Sequence, residues 1–112
     1  MDTYTVTSGN VTTAMAQISL IRDEVKYSGV STGEGPIDAA FLSIEQVIGH
    51  HYELDDYQVQ SVTEGKEALG SALVKLREGG KLYSGNGTST DIVAASIRAY
   101  VNALNKIVAE EA

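Results

Sequence analysis

A pattern that runs twice through the chain limits its fold more than any other feature. Tyr4-x-Val6-x-Ser8 returns as Tyr57-x-Val59-x-Ser61, an offset of 53 positions from Tyr4 to Tyr57. Ala16-Gln17-Ile18-Ser19-Leu20 returns as Ala72-Leu73-Val74-Lys75-Leu76. Gly33-x-Gly35 returns as Gly85-x-Gly87, Asp38 as Asp91, and Ser43-Ile44 as Ser96-Ile97. A chain of 112 residues has room for one ordinary domain. A pattern duplicated inside it predicts two copies of one small unit. We expect a single domain over 1–112, built from repeat units of approximately 3–49 and 54–108.

Each unit reads as three strands and a helix. Thr3 to Thr7 is β-branched and aromatic, and Ser8-Gly9-Asn10 is a turn. Thr12 to Ile21 alternates, with Ala14, Ala16, Ile18 and Leu20 on one face. Arg22-Asp23-Glu24 joins it to a third strand, Val25 to Val30. Ile37, Ala40, Phe41, Ile44, Val47 and Ile48 then follow helical spacing, and Gly49 ends the helix. His50 to Asp56 is a polar connector. In the second unit Glu78-Gly79-Gly80-Lys81 turns the chain, Leu82-Tyr83-Ser84 is the sixth strand, and a helix runs from Thr90 to about Val108. The expected class is α+β: two pseudo-twofold-related βββα units, with antiparallel strands packed against two helices. Apolar residues cover most of the second helix, leaving Arg98, Asn102 and Asn105 as a narrow polar wedge. That width, on units too thin to bury a core alone, predicts a homodimer.

Charge and composition narrow the partners. Lys+Arg is 8 against Asp+Glu 15, for a net charge of -7. That balance argues against nucleic acid and against an anionic membrane surface. No run approaches the ~18 apolar residues of a membrane span. There is no Cys, so disulfides and thiolate chemistry are excluded. No basic segment followed by an apolar run opens the chain, and the expected setting is the cytoplasm. A start directly in strand-like sequence suits a piece of something longer, or a small stand-alone module.

The chemistry centres on Ser31-Thr32-Gly33-Glu34-Gly35-Pro36-Ile37-Asp38-Ala39-Ala40. Pro36 is the one proline of the chain and suits a first helical position. Gly33 and Gly35 bring bare backbone to a helix start, which is either a plain structural cap or a place for a small anion. The turn is neither a P-loop nor a dinucleotide fingerprint. Glu34 would repel a polyanion, whereas a zwitterion could set its carboxylate at the helix start and its ammonium on Glu34, Asp38 or a carbonyl. Thr90-Asp91 is a second such start. If the pseudo-dyad brings the two together, they line one small cavity. Glu34 and Asp38 could also form a carboxylate pair, but first-turn charges complementing the helix dipole explain them better. His50 and His51 are adjacent, so they diverge on any regular element and read as solvated connector residues, not metal ligands. No GxSxG elbow is present for a serine nucleophile.

At these residues the chain resembles a known family. Gly33-Glu34-Gly35-Pro36-Ile37-Asp38-Ala39 resembles the G-D-G-P-V-D-A motif in the C-terminal regulatory domain of 2-isopropylmalate synthases. Leu54-Asp55-Asp56-Tyr57-x-Val59 resembles that domain's L-x-D-Y-x-V, and Gly65-Lys66-Glu67-Ala68-Leu69-Gly70 its G-x-D-A-x-G. The run from Ser89-Thr90-Asp91-Ile92 through Ala99-Tyr100 to Ala103-Leu104-Asn105 is similar to its closing motif. These matches span almost the whole chain in order. The resemblance implies a dimerising domain that binds L-leucine and feedback-inhibits a catalytic barrel elsewhere in the parent chain. It implies no cofactor in the domain itself. The divalent metal and acetyl-CoA belong to the barrel, whose ~250 residues cannot fit here, so this chain alone is not expected to catalyse. The related citramalate synthases carry a similar domain that senses isoleucine. Carried over residue by residue, the leucine site would use Gly33, Gly35, Pro36 and Ala39 at the first helix, and Asp91, Ala94 and Ala95 at the second. Tyr57, Val59 and Ile92 are candidate pocket walls. A structural dimerisation module that binds no small molecule is the rival reading.

Overall fold

The computed structural model describes residues 3–12, 14–64 and 67–111. The element order is β1 (Thr5–Val11), β2 (Met15–Arg22), β3 (Val25–Thr32), α1 (Pro36–Ile48), β4 (Glu53–Glu64), β5 (Glu67–Glu78), β6 (Lys81–Ser89) and α2 (Ile92–Glu111). The chain divides between His51 and Tyr52 into two compact units. Each holds one three-stranded antiparallel sheet, β1-β2-β3 or β4-β5-β6, followed by its helix. No helix among the described residues is long and apolar enough to cross a membrane.

In the first unit, Ala16, Ile18 and Leu20 of β2 are fully buried beneath α1, where Ala39, Ala40 and Ile44 meet them as the apolar stripe requires. Burying a side chain such as Ile18 or Leu20 stabilises by roughly 1.5–3 kcal/mol. Gly29 of β3 is what lets α1 lie close, since a Cβ there would stand 2.5 Å from the Ser43 carbonyl oxygen. The Ser43 hydroxyl donates to the Gly29 carbonyl at 2.6 Å, and the Val30 N–H donates to Gln46 Oε1 at 2.7 Å. These two helix side chains cover the backbone of β3, which stands at an edge of its sheet.

The second unit repeats the scheme with Ala72, Val74 and Leu76 buried under α2. Gly85 and Gly87 lie within β6, not in a turn before the helix as the echo of Gly33-x-Gly35 suggested. A Cβ on Gly85 would lie 2.2 Å from the Ala99 carbonyl oxygen, and one on Gly87 2.3 Å from that of Ala95. Both glycines therefore let the Ala95-Ala99-Ala103 side of α2 press onto the strand. Asn102 donates to the Asn86 carbonyl at 2.6 Å and Arg98 to the Thr88 carbonyl at 2.8 Å. The polar wedge of the sequence thus covers the edge strand β6.

The repeat is real, but its register differs from the one read in sequence. Gly29 pairs with Ile18 and Gly85 with Val74, so β2, β3 and α1 map onto β5, β6 and α2 at an offset of 56, not 53. Thr5 pairs with Ile21 and Glu53 with Arg77, so β1 maps onto β4 at an offset of 48. Both of these strands carry a bulge at the same place, between Val6 and Ser8 and between Leu54 and Asp56. Ser43 is therefore the counterpart of Ala99, not of Ser96, and the N-cap Gly35 is the counterpart of Asp91.

Other boundaries also moved. Ser8-Gly9-Asn10 is strand, because after the bulge these residues go on pairing with β2 through Ser19, Ile18 and Gln17. β2 begins at Met15, since the Thr12 N–H closes a turn onto the Met15 carbonyl at 2.8 Å. β3 extends to Thr32 and β6 to Ser89, each pairing with its neighbour to the end. β4 begins at Glu53, inside the expected connector, because its pairing with Arg77 starts there. α2 runs from Ile92 to Glu111 rather than from Thr90 to Val108. The first hairpin turns on Asp23 (φ 55) and Glu24 (φ 65), the second on Gly79 (φ 59) and Gly80 (φ 77). The same left-handed turn is thus made by glycine in one unit and against side-chain strain in the other.

Candidate functional site

The start of α1 is shaped by two glycines with different duties. The Gly33 N–H donates to the Ala14 carbonyl at 3.0 Å, continuing the β2–β3 pairing. A Cβ at Gly33 would lie 2.5 Å from the Ala39 nitrogen and 2.6 Å from Asp38 Oδ2, so packing alone demands glycine. Asp38 turns its carboxylate back to accept the N–H of Glu34, the residue before the N-cap, at 2.9 Å. Gly35 is the N-cap, in extended backbone, with no side-chain cap and Pro36 at the first helical position. The Ala39 N–H closes the first helical turn onto the Gly35 carbonyl at 2.9 Å. A Cβ at Gly35 would meet nothing within 4 Å. Gly35 thus keeps open the space before a helix N-terminus, where the dipole and the first-turn N–H groups favour a carboxylate.

The start of α2 is built otherwise. Asp91 Oδ1 accepts the Val93 N–H at 3.0 Å, and its carbonyl accepts the Ala95 N–H at 3.0 Å. The Asp91 N–H in turn donates to Ser89 Oγ at 3.2 Å. Asp91 is therefore the capping carboxylate of α2, and its charge already complements the dipole there. Ala95 is buried against β6, and Ala94 is half-buried beside it. The two starts, expected to be alike, are chemically different: one capped by a carboxylate, one left as glycine.

Of the candidate pocket walls, the structure joins two. Leu54, Tyr57 and Val59 share the helix-facing side of β4, opposite Leu76, Val74 and Ala72. α2 lies over β5 and β6, and Leu54 and Val59 stay 43% and 45% exposed. The Tyr57 hydroxyl and Ser96 Oγ are 2.6 Å apart, and Ser96 donates to the Ile92 carbonyl at 2.8 Å. Tyr57 and Ile92 are so linked through Ser96, while Val59 lies two positions further along the strand. Ile92 also covers Gly70, where a Cβ would fall 2.7 Å from its Cδ1. Gly65 and Lys66, which open the motif ending in Gly70, lie outside the described residues. In sequence Ser96 stands only as an echo of Ser43; its place four residues after Ile92, where a serine can bond back to the helix carbonyl, is the signal that marks it.

The remaining charged groups serve the periphery. His51 Nδ1 meets Glu45 Oε2 at 2.5 Å, and His50 is exposed. Among the described residues no group of three or more His, Cys, Asp or Glu is placed to hold a metal ion. Arg77 pairs with Asp55 at 2.7 Å, and this hydrogen bond raises the guanidinium pKa from its ordinary value. Lys81, at the start of β6, pairs with Glu110 near the end of α2. Hydrogen bonds from Lys81 first, then Tyr83, hold the Glu110 carboxyl below its usual range.

These features define a duplicated βββα domain with one carboxylate-capped and one glycine-opened helix start. The chain belongs to the LeuA allosteric (dimerisation) domain family, whose model matches residues 1–108. It is 40% identical over 110 residues to a 2-isopropylmalate synthase of Ruminiclostridium cellulolyticum, covering 98% of this chain and 22% of that protein. It is 42% identical over 103 residues to the 2-isopropylmalate synthase of Heliobacterium modesticaldum, covering 92% and 20%. The 2-isopropylmalate synthase of Methylacidiphilum infernorum is 44% identical over 103 residues, covering 91% and 20%. The chain thus spans about a fifth of the length of these relatives.

Proposed function

We propose that this chain is the leucine-sensing regulatory domain of a 2-isopropylmalate synthase. It binds L-leucine, forms a homodimer, and restrains by feedback a catalytic barrel elsewhere in the parent protein. The observation that carries this reading is the match of an allosteric domain family over residues 1–108, with relatives named as 2-isopropylmalate synthases. The same naming favours leucine over the isoleucine of citramalate synthases. The start of α1 supplies matching chemistry: an uncapped helix N-terminus and open space at Gly35, suited to the carboxylate of an amino acid. The site would use Gly33, Gly35, Pro36 and Ala39 around that start. In the second unit the candidate leucine contacts carried over from the family motif are Asp91, Ala94 and Ala95 at the start of α2, with Tyr57, Val59 and Ile92 as candidate apolar wall.

The acyl transfer itself, with its divalent metal and acetyl-CoA, belongs in this proposal to the remainder of the parent protein. The setting is the cytoplasm. Feedback requires that leucine bind one state of the dimer more tightly than another. Calorimetric titration with leucine, isoleucine and valine tests the sensor. Heat with leucine at micromolar to millimolar concentration supports it; no heat with any of the three leaves a structural dimerisation module. Sedimentation at micromolar concentration tests the dimer, and an 11.9 kDa species would contradict it.

A further inference from the structure

The asparagines of the chain are Asn10, Asn86, Asn102 and Asn105, and glycine follows only Asn86. The pair Asn86-Gly87 lies in β6. Asparagine before glycine is open to attack by the next main-chain nitrogen on its own side-chain amide, because glycine puts no side chain in the way. The fold admits no other residue after Asn86. A Cβ on Gly87 would stand 2.3 Å from the Ala95 carbonyl oxygen and 2.7 Å from the Ala99 nitrogen of α2. Gly87 faces α2, so the side chain of Asn86 falls on the opposite face of the sheet, where the residue is exposed.

The same fold ties down the attacking nitrogen. The Asn86 carbonyl accepts from Asn102 at 2.6 Å and the Thr88 carbonyl from Arg98 at 2.8 Å, so both point outward from the sheet edge. By strand alternation Gly87, between them, turns its N–H inward to Ala72, its partner on β5. We propose that Asn86-Gly87 is a self-modification site, guarded by β6 pairing and the Asn102 clamp, that reacts when the edge strand opens. The Gly87 nitrogen loses its proton to solvent base and bonds to Asn86 Cγ, and Nδ2 leaves as ammonia. Water then opens the cyclic imide. Cleavage of the new N–Cγ bond leaves aspartate. Cleavage of the original peptide bond leaves isoaspartate, whose main chain runs through Cβ. That second product lengthens the main chain between Gly85 and Gly87, the glycines on which α2 is seated, so reclosing β6 no longer restores the seat.

Incubation of the 112-residue chain in mildly alkaline buffer, with and without urea, tests this. Trypsin releases residues 82–98, in which Asn86 is the one asparagine. Mass spectrometry with separation of the isoaspartyl form reads its conversion from amide to acid. Conversion is expected at Asn86 ahead of Asn10, Asn102 and Asn105, and at least about tenfold faster in urea than in the folded chain. Asn102→Ala should raise the folded rate about 2- to 5-fold, the worth of one exposed hydrogen bond, and leave the rate in urea unchanged. An Asn86 that stays intact in urea, or equal rates in the two conditions, would overturn the proposal. So would an unchanged rate in Asn102→Ala that circular dichroism shows to be folded. If that variant does not fold, the ratio of the two wild-type rates still decides the point.

Discussion

The Asp38 carboxylate accepts the backbone N–H of Glu34 at 2.9 Å, closing the turn before α1 from inside the helix. A capping acceptor here, one turn into the helix, leaves the N-cap position itself to glycine. Asp38→Ala removes both that bond and a favourable first-turn charge. It should destabilise by about 1 kcal/mol, whereas Asp38→Asn, which keeps an acceptor, should lose less than half as much. Urea unfolding midpoints at neutral pH check both.

The two glycines of that turn should separate stability from binding. Gly33→Ala forces a Cβ to 2.5 Å from the Ala39 nitrogen and should cost about 1–3 kcal/mol. Gly35→Ala enters open space and should cost only about 0.5–1 kcal/mol through poorer capping. If a leucine carboxylate occupies that space, Gly35→Ala should still weaken leucine binding at least about tenfold. Thermal melts and calorimetry on the same samples give both numbers.

The first hairpin holds Glu24 at φ 65 where the second has Gly80 at φ 77. A left-handed conformation costs a side-chain-bearing residue roughly 1–2 kcal/mol, and glycine returns part of that through its freer unfolded chain. Glu24→Gly should therefore stabilise by about 0.5–1 kcal/mol. A Tm raised by a few degrees is the expected reading.

The helix side chains that cover the two edge strands are not equal. Ser43→Ala strips a buried 2.6 Å bond from the Gly29 carbonyl and should cost about 1–2 kcal/mol. Asn102→Ala removes an exposed bond to the Asn86 carbonyl, which water can replace, and should cost under about 1 kcal/mol. Paired denaturation curves test the order.

Glu110 is held below its usual range by its hydrogen bond to Lys81. A depressed carboxyl contributes stability that is present above its unfolded pKa and lost as pH falls through its folded pKa. Glu110 should therefore stay ionised to lower pH than glutamates with no such partner. Lys81→Met should move its titration upward. Carboxyl-carbon NMR from neutral pH down to about pH 2 reads both directly.

Element types were legible because period and punctuation agreed: Ala16, Ile18 and Leu20 alternate, and Pro36 and Gly49 bracket α1. The repeat was legible too, but not its register. Ser43-Ile44 and Ser96-Ile97 are identical in sequence yet play unrelated parts, one bonding across to β3 and the other back within α2 and to Tyr57. The bulges in β1 and β4 match and leave the offset unchanged. It shifts because β4 and β5 pair on from Val59–Ala72 to Glu64–Glu67, whereas β1–β2 pairing ends at Val11–Ala16, a difference in hairpin length that residue type does not show. Gly85-x-Gly87 misled for a physical reason: glycine serves a close helix–strand approach as readily as a turn. At the site, the difference between Gly35 and Asp91 was present in the letters, but it gained meaning only once both were seen as N-caps.

The most direct measurement is calorimetric titration of the 112-residue chain with L-leucine, repeated on Gly35→Ala. A sensing domain should give saturable heat with leucine, weaker heat with valine and isoleucine, and at least about tenfold loss in the variant with its fold intact. No heat with leucine at millimolar concentration, or equal affinity in the Gly35 variant, would contradict a leucine site at the start of α1.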